Sequence, residues 1–210
     1  MLWRLLLLPL AGASAANVLV TYSSSTGHTK ALAEAIGDGA RKEGAHVKVM
    51  PFAAVDVERD VLLWADGFIL GSPVHYGNPA ADLLGWFEKS WESFWEDPRL
   101  DGKRGAAFAT GGGLEQGLEH VITTLHRVLH SFRFEVVTPS PTRSGYNSYG
   151  AIAVTGTPPY FNASVGTIPY EFIDAGMDLG AVVARRSAAV VSACGRERDR
   201  AAGRVYKMAR

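Results

Sequence analysis

A single cysteine, Cys194, rules out an internal disulfide and leaves no Cys-rich metal framework. Charge of one sign is also missing: 21 Lys and Arg balance 21 Asp and Glu across 210 residues. A formally neutral chain has no overall electrostatic footprint for nucleic acid or an anionic membrane, although a local patch stays open. Past the N-terminus, no apolar run approaches the ~20 residues that cross a bilayer as a helix. No G-x-S-x-G nucleophile elbow is present, so nothing points to a Ser-based hydrolase. Internal repeats and low-complexity tracts are absent too. What remains is 47% hydrophobic and 20% charged, the composition of an ordinary folded globular chain.

The first residues read as a targeting segment. Met1–Ala16 has one basic residue, Arg4, an apolar run from Leu5 to Leu10, and small residues ending in Ala13-Ser14-Ala15. That is the order of a secretory or organelle-targeting leader with an A-x-A site. A membrane-associated anchor and a misplaced start are the alternatives. The expected division is therefore residues 1–16 as leader, 17–194 as one folded domain, and 195–210 as a polar, basic tail.

From Asn17, β-type runs alternate with amphipathic helical stretches. Strands are expected at Val18–Tyr22, Val47–Met50, Gly67–Leu70, Gly105–Ala109 and Phe134–Val137, with a short one near Ile152–Val154. The spacing of Leu32, Ala35, Ile36 and Gly39 predicts a helix over His28–Lys42. That of Leu118, Ile122, Leu125 and Leu129 predicts one over Glu115–His130. Val61–Trp64 reads as a short helix or loop. Pro79 suits the first turn of a helix running towards Trp91. Residues 138–169 are rich in Gly, Pro, Ser, Thr and Tyr and read as a long functional loop, and Tyr170–Ser192 as a closing helix. This alternation implies a parallel sheet covered on both faces, a three-layer α/β/α single domain with five parallel strands.

Such sheets bind ligands beyond the carboxyl ends of their strands, and three loops there carry unusual residues. Ser23, Ser24, Ser25, Thr26, Gly27, His28 and Thr29 join the first strand to the first helix. Small hydroxyl residues around a glycine at a helix N-terminus suit an anion, since backbone N–H groups and the helix dipole favour negative charge there. The loop lacks the Gly-Lys-Ser/Thr ending of a nucleotide P-loop and the G-x-G-x-x-G spacing, so it fits a monophosphate better than a pyrophosphate. A plain Ser/Thr helix cap is the simpler reading.

The second loop, Ser72, Pro73, Val74, His75, Tyr76, Gly77, Asn78 and Pro79, holds an aromatic between turn-forming residues. Tyr76 is either a stacking platform or an ordinary half-buried loop residue. The third, Thr110, Gly111, Gly112 and Gly113, allows backbone to approach a ligand or simply makes a flexible turn.

Together, Tyr22–Thr29, Gly71–Asn78 and Thr110–Gln116 resemble the flavodoxin-like WrbA-type NAD(P)H:quinone oxidoreductases, over roughly Asn17 to Val191. The resemblance implies the flavodoxin-like strand order 2-1-3-4-5 and an FMN cofactor at the switch point. It puts the phosphate on Ser23–Thr29 and the isoalloxazine between Pro73–Asn78 and Thr110–Gly113. The family's G-[TS]-P-x-x-[FY]-G-N pattern is kept from Gly71 to Asn78. Tyr76 and Trp95 are implied as aromatic walls and His130 as a proton donor to quinone, the last with altered local spacing. Gly145 and Tyr149-Gly150-Ala151 echo a further family segment. Val74-His75, a shorter third loop with Leu114, and a shortened Asp56–Leu63 region depart from the pattern.

The implied activity is two-electron transfer from NAD(P)H as co-substrate, through FMN, to a quinone. The implied partners are nicotinamide and quinone small molecules, and the implied assembly is a homo-oligomer, dimer or tetramer. No protein nucleophile is required for such chemistry. A flavodoxin-type electron carrier is the rival, disfavoured by zero net charge and the Gly-rich third loop, and a flavin-free scaffold is a third possibility. His28 reads as a cap or phosphate neighbour. Cys194 reads as an unremarkable thiol, and the Arg-rich C-terminus as a solvated helix end.

Overall fold

A computed structural model describes residues 15–57, 60–139, 149–156 and 163–208. Residues 1–14 of the leader expected over residues 1–16 lie outside them, as does Gly145. Ala16 is already part of the fold: it is buried, and its carbonyl accepts the N–H of His46 at 2.9 Å.

The apolar run after Asn17 forms β1 (Asn17–Tyr22), five of whose six residues are buried. An extended chain covered on both faces reads as such a continuous run, which is the mark of a central parallel strand. Then follow α1 (His28–Lys42), β2 (His46–Pro51) and two short helices, α2 (Phe52–Val57) and α3 (Asp60–Trp64). Next come β3 (Gly67–His75), the two-residue β4 (Asn78–Pro79), α4 (Ala81–Ser90) and β5 (Arg104–Gly111). The described chain closes with α5 (Leu118–Ser131), β6 (Glu135–Val136), β7 (Ala151–Val154) and α6 (Ile173–Met208).

The sheet runs β2-β1-β3-β5-β6, with β7 also on β5, and these neighbours all pair in parallel. The chain steps from β1 outward to β2, then returns across β1 to β3. The strand order therefore reverses at the carboxyl ends of β1 and β3.

The fifth strand position is split. Glu135–Val136 pairs with Arg104–Gly105 at the start of β5, and Ala151–Val154 pairs with Phe108–Gly111 at its end. The two runs expected separately, near 134–137 and 152–154, thus occupy one edge, with the intervening chain looped out between them.

Three expected boundaries move. β3 does not stop at Leu70 but continues to His75 and turns back through Tyr76-Gly77, so Pro79 ends an antiparallel pairing with Val74 instead of opening α4. Gly117, in the left-handed region at φ 102, delays α5 to Leu118. The last helix runs on past Ser192 to Met208.

One face of the sheet carries α1 and α6. Leu32, Ile36 and Ala40 are buried there with Leu179 and Val183. Gly180 lies so close to α1 that a Cβ on it would fall 1.8 Å from the Ile36 carbonyl oxygen, so only glycine permits this crossing. The other face is aromatic: Trp91 makes edge contacts with Phe68 at 5.1 Å and Phe132 at 4.7 Å, and Trp86 with Trp91 at 5.5 Å. Lys103 closes the lower end of this face. Its ammonium donates to the carbonyl of Leu63 at 2.9 Å and to that of Ala65, capping α3, and burial pushes its pKa down.

Candidate functional site

The first loop leaves β1 at Tyr22, a phenol that burial, aided by Glu34, keeps protonated by pushing its pKa up. Ser23 is buried and turned inward. Its N–H donates to the Gly71 carbonyl at 3.1 Å, and its hydroxyl donates to the Asp82 carboxylate at 3.2 Å. Ser23 thus ties the loop to β3 and α4.

Ser24 folds its hydroxyl under the loop, accepting from the Gly27 N–H at 3.1 Å. Ser25 and Thr26 are exposed at the tip. Gly27 is the N-cap of α1 at φ 86, so the capping position itself has no side chain. The N–H groups of His28 and Thr29 precede any intrahelical acceptor, because that ladder starts with Ala31 donating to Gly27 at 2.9 Å. A helix start open in this way, with the dipole's positive end facing out, fits a phosphate. The simpler Ser/Thr cap is present only in part: Ser24 sits before the Gly27 cap position, and its hydroxyl also accepts the Lys30 N–H at 3.4 Å.

Two side chains of the cradle reach elsewhere. His28 Nδ1 donates to the Thr167 carbonyl at 2.6 Å, and the Thr29 hydroxyl lies 2.8 Å from that of Thr110, both residues buried. His28 is therefore a strut to the 163–168 segment. That segment also donates Gly166 N–H to the Thr26 carbonyl at 2.9 Å. Gly166 approaches so closely that a Cβ on Gly27 would fall 2.8 Å from its Cα.

The second loop is a tight hairpin. Tyr76 and Gly77 both have positive φ, 51 and 78, as the central residues of a primed two-residue turn require. Glycine takes that conformation freely and tyrosine does not. Asn78 Nδ2 donates to the Tyr76 carbonyl at 3.0 Å, and the Ser72 hydroxyl accepts the Ala80 N–H at 2.8 Å, fixing both ends of the turn. Tyr76 is 103% exposed, neither half-buried nor packed on anything of its own chain. His75 and Asn78 are exposed, and Pro73 and Val74 half-buried.

The third loop continues β5. Thr110 is level with Pro73 in the sheet, and Gly111 backs onto Val74. A Cβ on Gly156 would lie 1.7 Å from the Gly112 carbonyl oxygen, and one on Gly117 2.8 Å from Gly77. Each loop is backed by a glycine-to-glycine backbone contact from outside it, Gly27 with Gly166, Gly77 with Gly117 and Gly112 with Gly156, while Ser23 on Gly71 and Thr29 on Thr110 tie the first loop to β3 and to the third loop. Gly112 is exposed and Gly113 half-buried.

Trp95 and His130 do not join this assembly. α5 starts beside the loops, where Gly117 meets Gly77, and descends about 20 Å to its last turn, which carries His130. There the Arg133 carbonyl accepts the N–H of Gly102, just before the start of β5. Trp95 packs edge-on against Phe132 at 5.5 Å in the same region. Both residues lie at the amino ends of the strands, so neither is placed on the loops of its own chain. Elements that cross the whole sheet bring them there, which sequence spacing alone does not register.

Some contributors carried too little local signal to be singled out. Asp82 holds Ser23 from 59 residues away, and Gly156, Gly166 and Thr167 support loops more than 40 residues away. A glycine in a long Gly-rich stretch looks like turn material until its neighbour is known. Among the described residues, no group of three or more His, Cys, Asp or Glu is placed to hold a metal ion.

Comparison with known proteins agrees with this geometry. The flavodoxin family model matches residues 20–154. A flavodoxin of Aquifex aeolicus is 33% identical over 145 residues, which are 68% of this chain and 76% of that protein. An NAD(P)H dehydrogenase (quinone) of Methanosarcina barkeri is 31% identical over 176 residues, 67% of this chain and 84% of that one. The crystal structure of a flavodoxin, WrbA-like protein from Agrobacterium tumefaciens superimposes with a TM-score of 0.63 at 19% identity, over 82% of this chain and 98% of its own.

Proposed function

This chain belongs to the flavodoxin family, and on that premise we propose that it is an FMN-dependent NAD(P)H:quinone oxidoreductase. The observation that carries the reading is the meeting of three loops at the strand-order reversal. These loops carry the open N–H groups of His28 and Thr29, the Gly112-Gly113 backbone and the unpacked Tyr76.

In this reading the N–H groups of His28 and Thr29 would hold the phosphate, with Ser24 shaping the loop through the Gly27 N–H. Tyr76, Pro73, Val74 and the Gly111–Gly113 backbone would hold the ring. Bound flavin supplies two-electron, hydride-accepting chemistry that no side chain of this protein provides. The chain's part is to orient and to stabilise. Tyr76 offers a flat apolar face whose aromatic contact is worth about 0.5–1.5 kcal/mol. The N–H groups of Gly112 and Gly113 are donors suited to negative charge on an adjacent ring edge.

Quinone and nicotinamide enter from the solvent side of Tyr76, where the chain leaves the hairpin tip open. Trp95 and His130 have no part in the chemistry of their own protomer in this account. The similarity to quinone dehydrogenases in Methanosarcina barkeri and elsewhere supports the reductase over a pure electron carrier. The zero net charge does so as well, since carriers that dock basic redox partners are commonly acidic.

The test is titration of the purified protein with FMN and riboflavin, followed by NADH and NADPH oxidation with and without benzoquinone. Tight FMN binding, weaker riboflavin binding and quinone-dependent oxidation are expected. FMN binding without oxidation would assign an electron carrier instead, and a colourless protein that binds no flavin would overturn both.

A further inference from the structure

The neutral total conceals a separation of charge between two parts of the chain. The end of α4 and the turn after it carry Glu88, Glu92 and Glu96, spaced four residues apart and all exposed. With Ser93 and Trp95 they line an open groove of about 530 Å³. Among the described residues none of the three glutamates enters a salt bridge. The sequence from Arg185 to Arg210, by contrast, has eight basic and two acidic residues. Arg196, Arg200, Arg204 and Lys207 follow one another at four, four and three residues, the spacing of one helical stripe.

The fold puts these two parts at the same end of the molecule but on opposite faces. α6 starts beside the carboxyl ends of the strands and descends along α1. Ser187, buried, lies level with Gly67 at the start of β3. The helix continues to Met208, so roughly 30 Å of it extends past the amino ends of the strands. The acidic groove opens at that same end, on the α4 and α5 side.

Trp95 is held in place there. The Arg133 guanidinium donates to the Trp95 carbonyl at 2.6 Å, to the Asp97 carbonyl at 3.1 Å and to the Asp101 carboxylate at 2.5 Å. The ring is nonetheless 52% exposed. An exposed tryptophan on a clamped backbone is the kind of residue that dominates an interface, since its ordering is already complete.

We propose that the partner for this groove is the C-terminal part of α6 from a second copy of the same chain. Two copies meet through the amino ends of their strands. Each lays its basic helix across the Glu88–Glu96 groove and Trp95 of the other. The contact is isologous: the same helix-in-groove pairing occurs twice about a two-fold axis and closes as a dimer. The extension is long enough to cross a groove of this size. The loops at the opposite ends of the strands stay free in both copies, so the inference is independent of the flavin reading.

Molar mass by light scattering, on the full chain at low and high salt, tests this. A dimer at low salt that dissociates as salt rises is expected, because exposed charge pairs are screened. The Glu88→Lys/Glu92→Lys/Glu96→Lys protein, with an unchanged circular dichroism spectrum, and a chain ending at Ala193, with a helical signal lower only by the turns removed, are both expected to be monomers. Combining the three lysines with Arg196→Glu/Arg200→Glu/Arg204→Glu is expected to restore the dimer, an outcome that a general surface effect would not give. A wild-type monomer at low salt would overturn the proposal. A dimer indifferent to both the glutamate reversal and the truncation would overturn it equally.

Discussion

The hydroxyls of Thr29 and Thr110 lie 2.8 Å apart in a site where neither residue is more than 3% exposed. Thr29 lies in the first turn of α1 and Thr110 next to the end of β5, so this bond fixes the first loop relative to the glycine loop. Both hydroxyls are internal, and each is the other's partner.

Removing one hydroxyl alone is expected to destabilise the protein more than removing both. Thr110→Val leaves the Thr29 hydroxyl buried without its partner, at a cost of about 1–3 kcal/mol. The double variant Thr29→Val/Thr110→Val replaces the pair with apolar groups of the same shape and is expected to recover most of that loss. Urea unfolding of the four proteins measures the coupling. Additive losses would show that the two hydroxyls act separately.

Tyr76 combines full exposure with positive φ, so its own chain gains nothing from the ring. Tyr76→Gly is therefore expected to leave the unfolding midpoint unchanged or slightly raised. FMN affinity is expected to fall by about threefold to tenfold, the value of a lost aromatic contact. Parallel flavin titration and thermal unfolding check both halves. A fall in stability without a fall in affinity contradicts the role given to Tyr76.

Gly156 is the residue whose substitution is expected to act on the site from behind. An added Cβ would lie 1.7 Å from the Gly112 carbonyl oxygen, backbone that has no flexible end to move aside. Gly156→Ala must displace the glycine loop, weakening the binding of FMN and riboflavin alike. Gly27→Ala, at the phosphate end, is expected to weaken FMN far more than riboflavin. The ratio of the two affinities in each variant separates ring from phosphate effects.

His126 sets an expected pH dependence. Burial, together with the nearby His130, lowers its pKa to about 4, and its Nε2 has no hydrogen-bond partner. The folded state therefore holds His126 neutral, while the unfolded chain takes up a proton near the ordinary value of about 6.5. The unfolded state binds more protons between these values, so stability rises with pH across that window and is lost as pH falls from about 6.5 towards 4. The shift corresponds to at most about 3–4 kcal/mol. His126→Leu is expected to flatten this part of the profile, as measured by denaturant unfolding at several pH values. An unchanged slope would place its origin in other groups.

Much of the architecture was legible because it is written in short-range patterns. The buried face of α1 contains the spaced residues Leu32, Ala35, Ile36 and Gly39, and the strand at β1 is a plain apolar run. The three loops were recognisable from hydroxyl, aromatic and glycine residues at strand ends. Less legible was anything set by contact across the sheet. The continuation of β3 through Pro73 depends on pairing with β5, and the split of the fifth strand depends on where β5 offers an edge. Trp95 and His130 sat at plausible family positions, yet the descent of α4 and α5 carries them to the far end. The supporting role of Gly156, Gly166 and Asp82 exists only once distant segments meet.

The most direct test of the flavin account is quinone-dependent NAD(P)H oxidation by protein loaded with known fractions of FMN. The account predicts a rate proportional to bound FMN, abolished by removing the flavin, and reduced in Tyr76→Gly at equal occupancy. FMN-saturated protein that oxidises neither NADH nor NADPH in the presence of benzoquinone would contradict it.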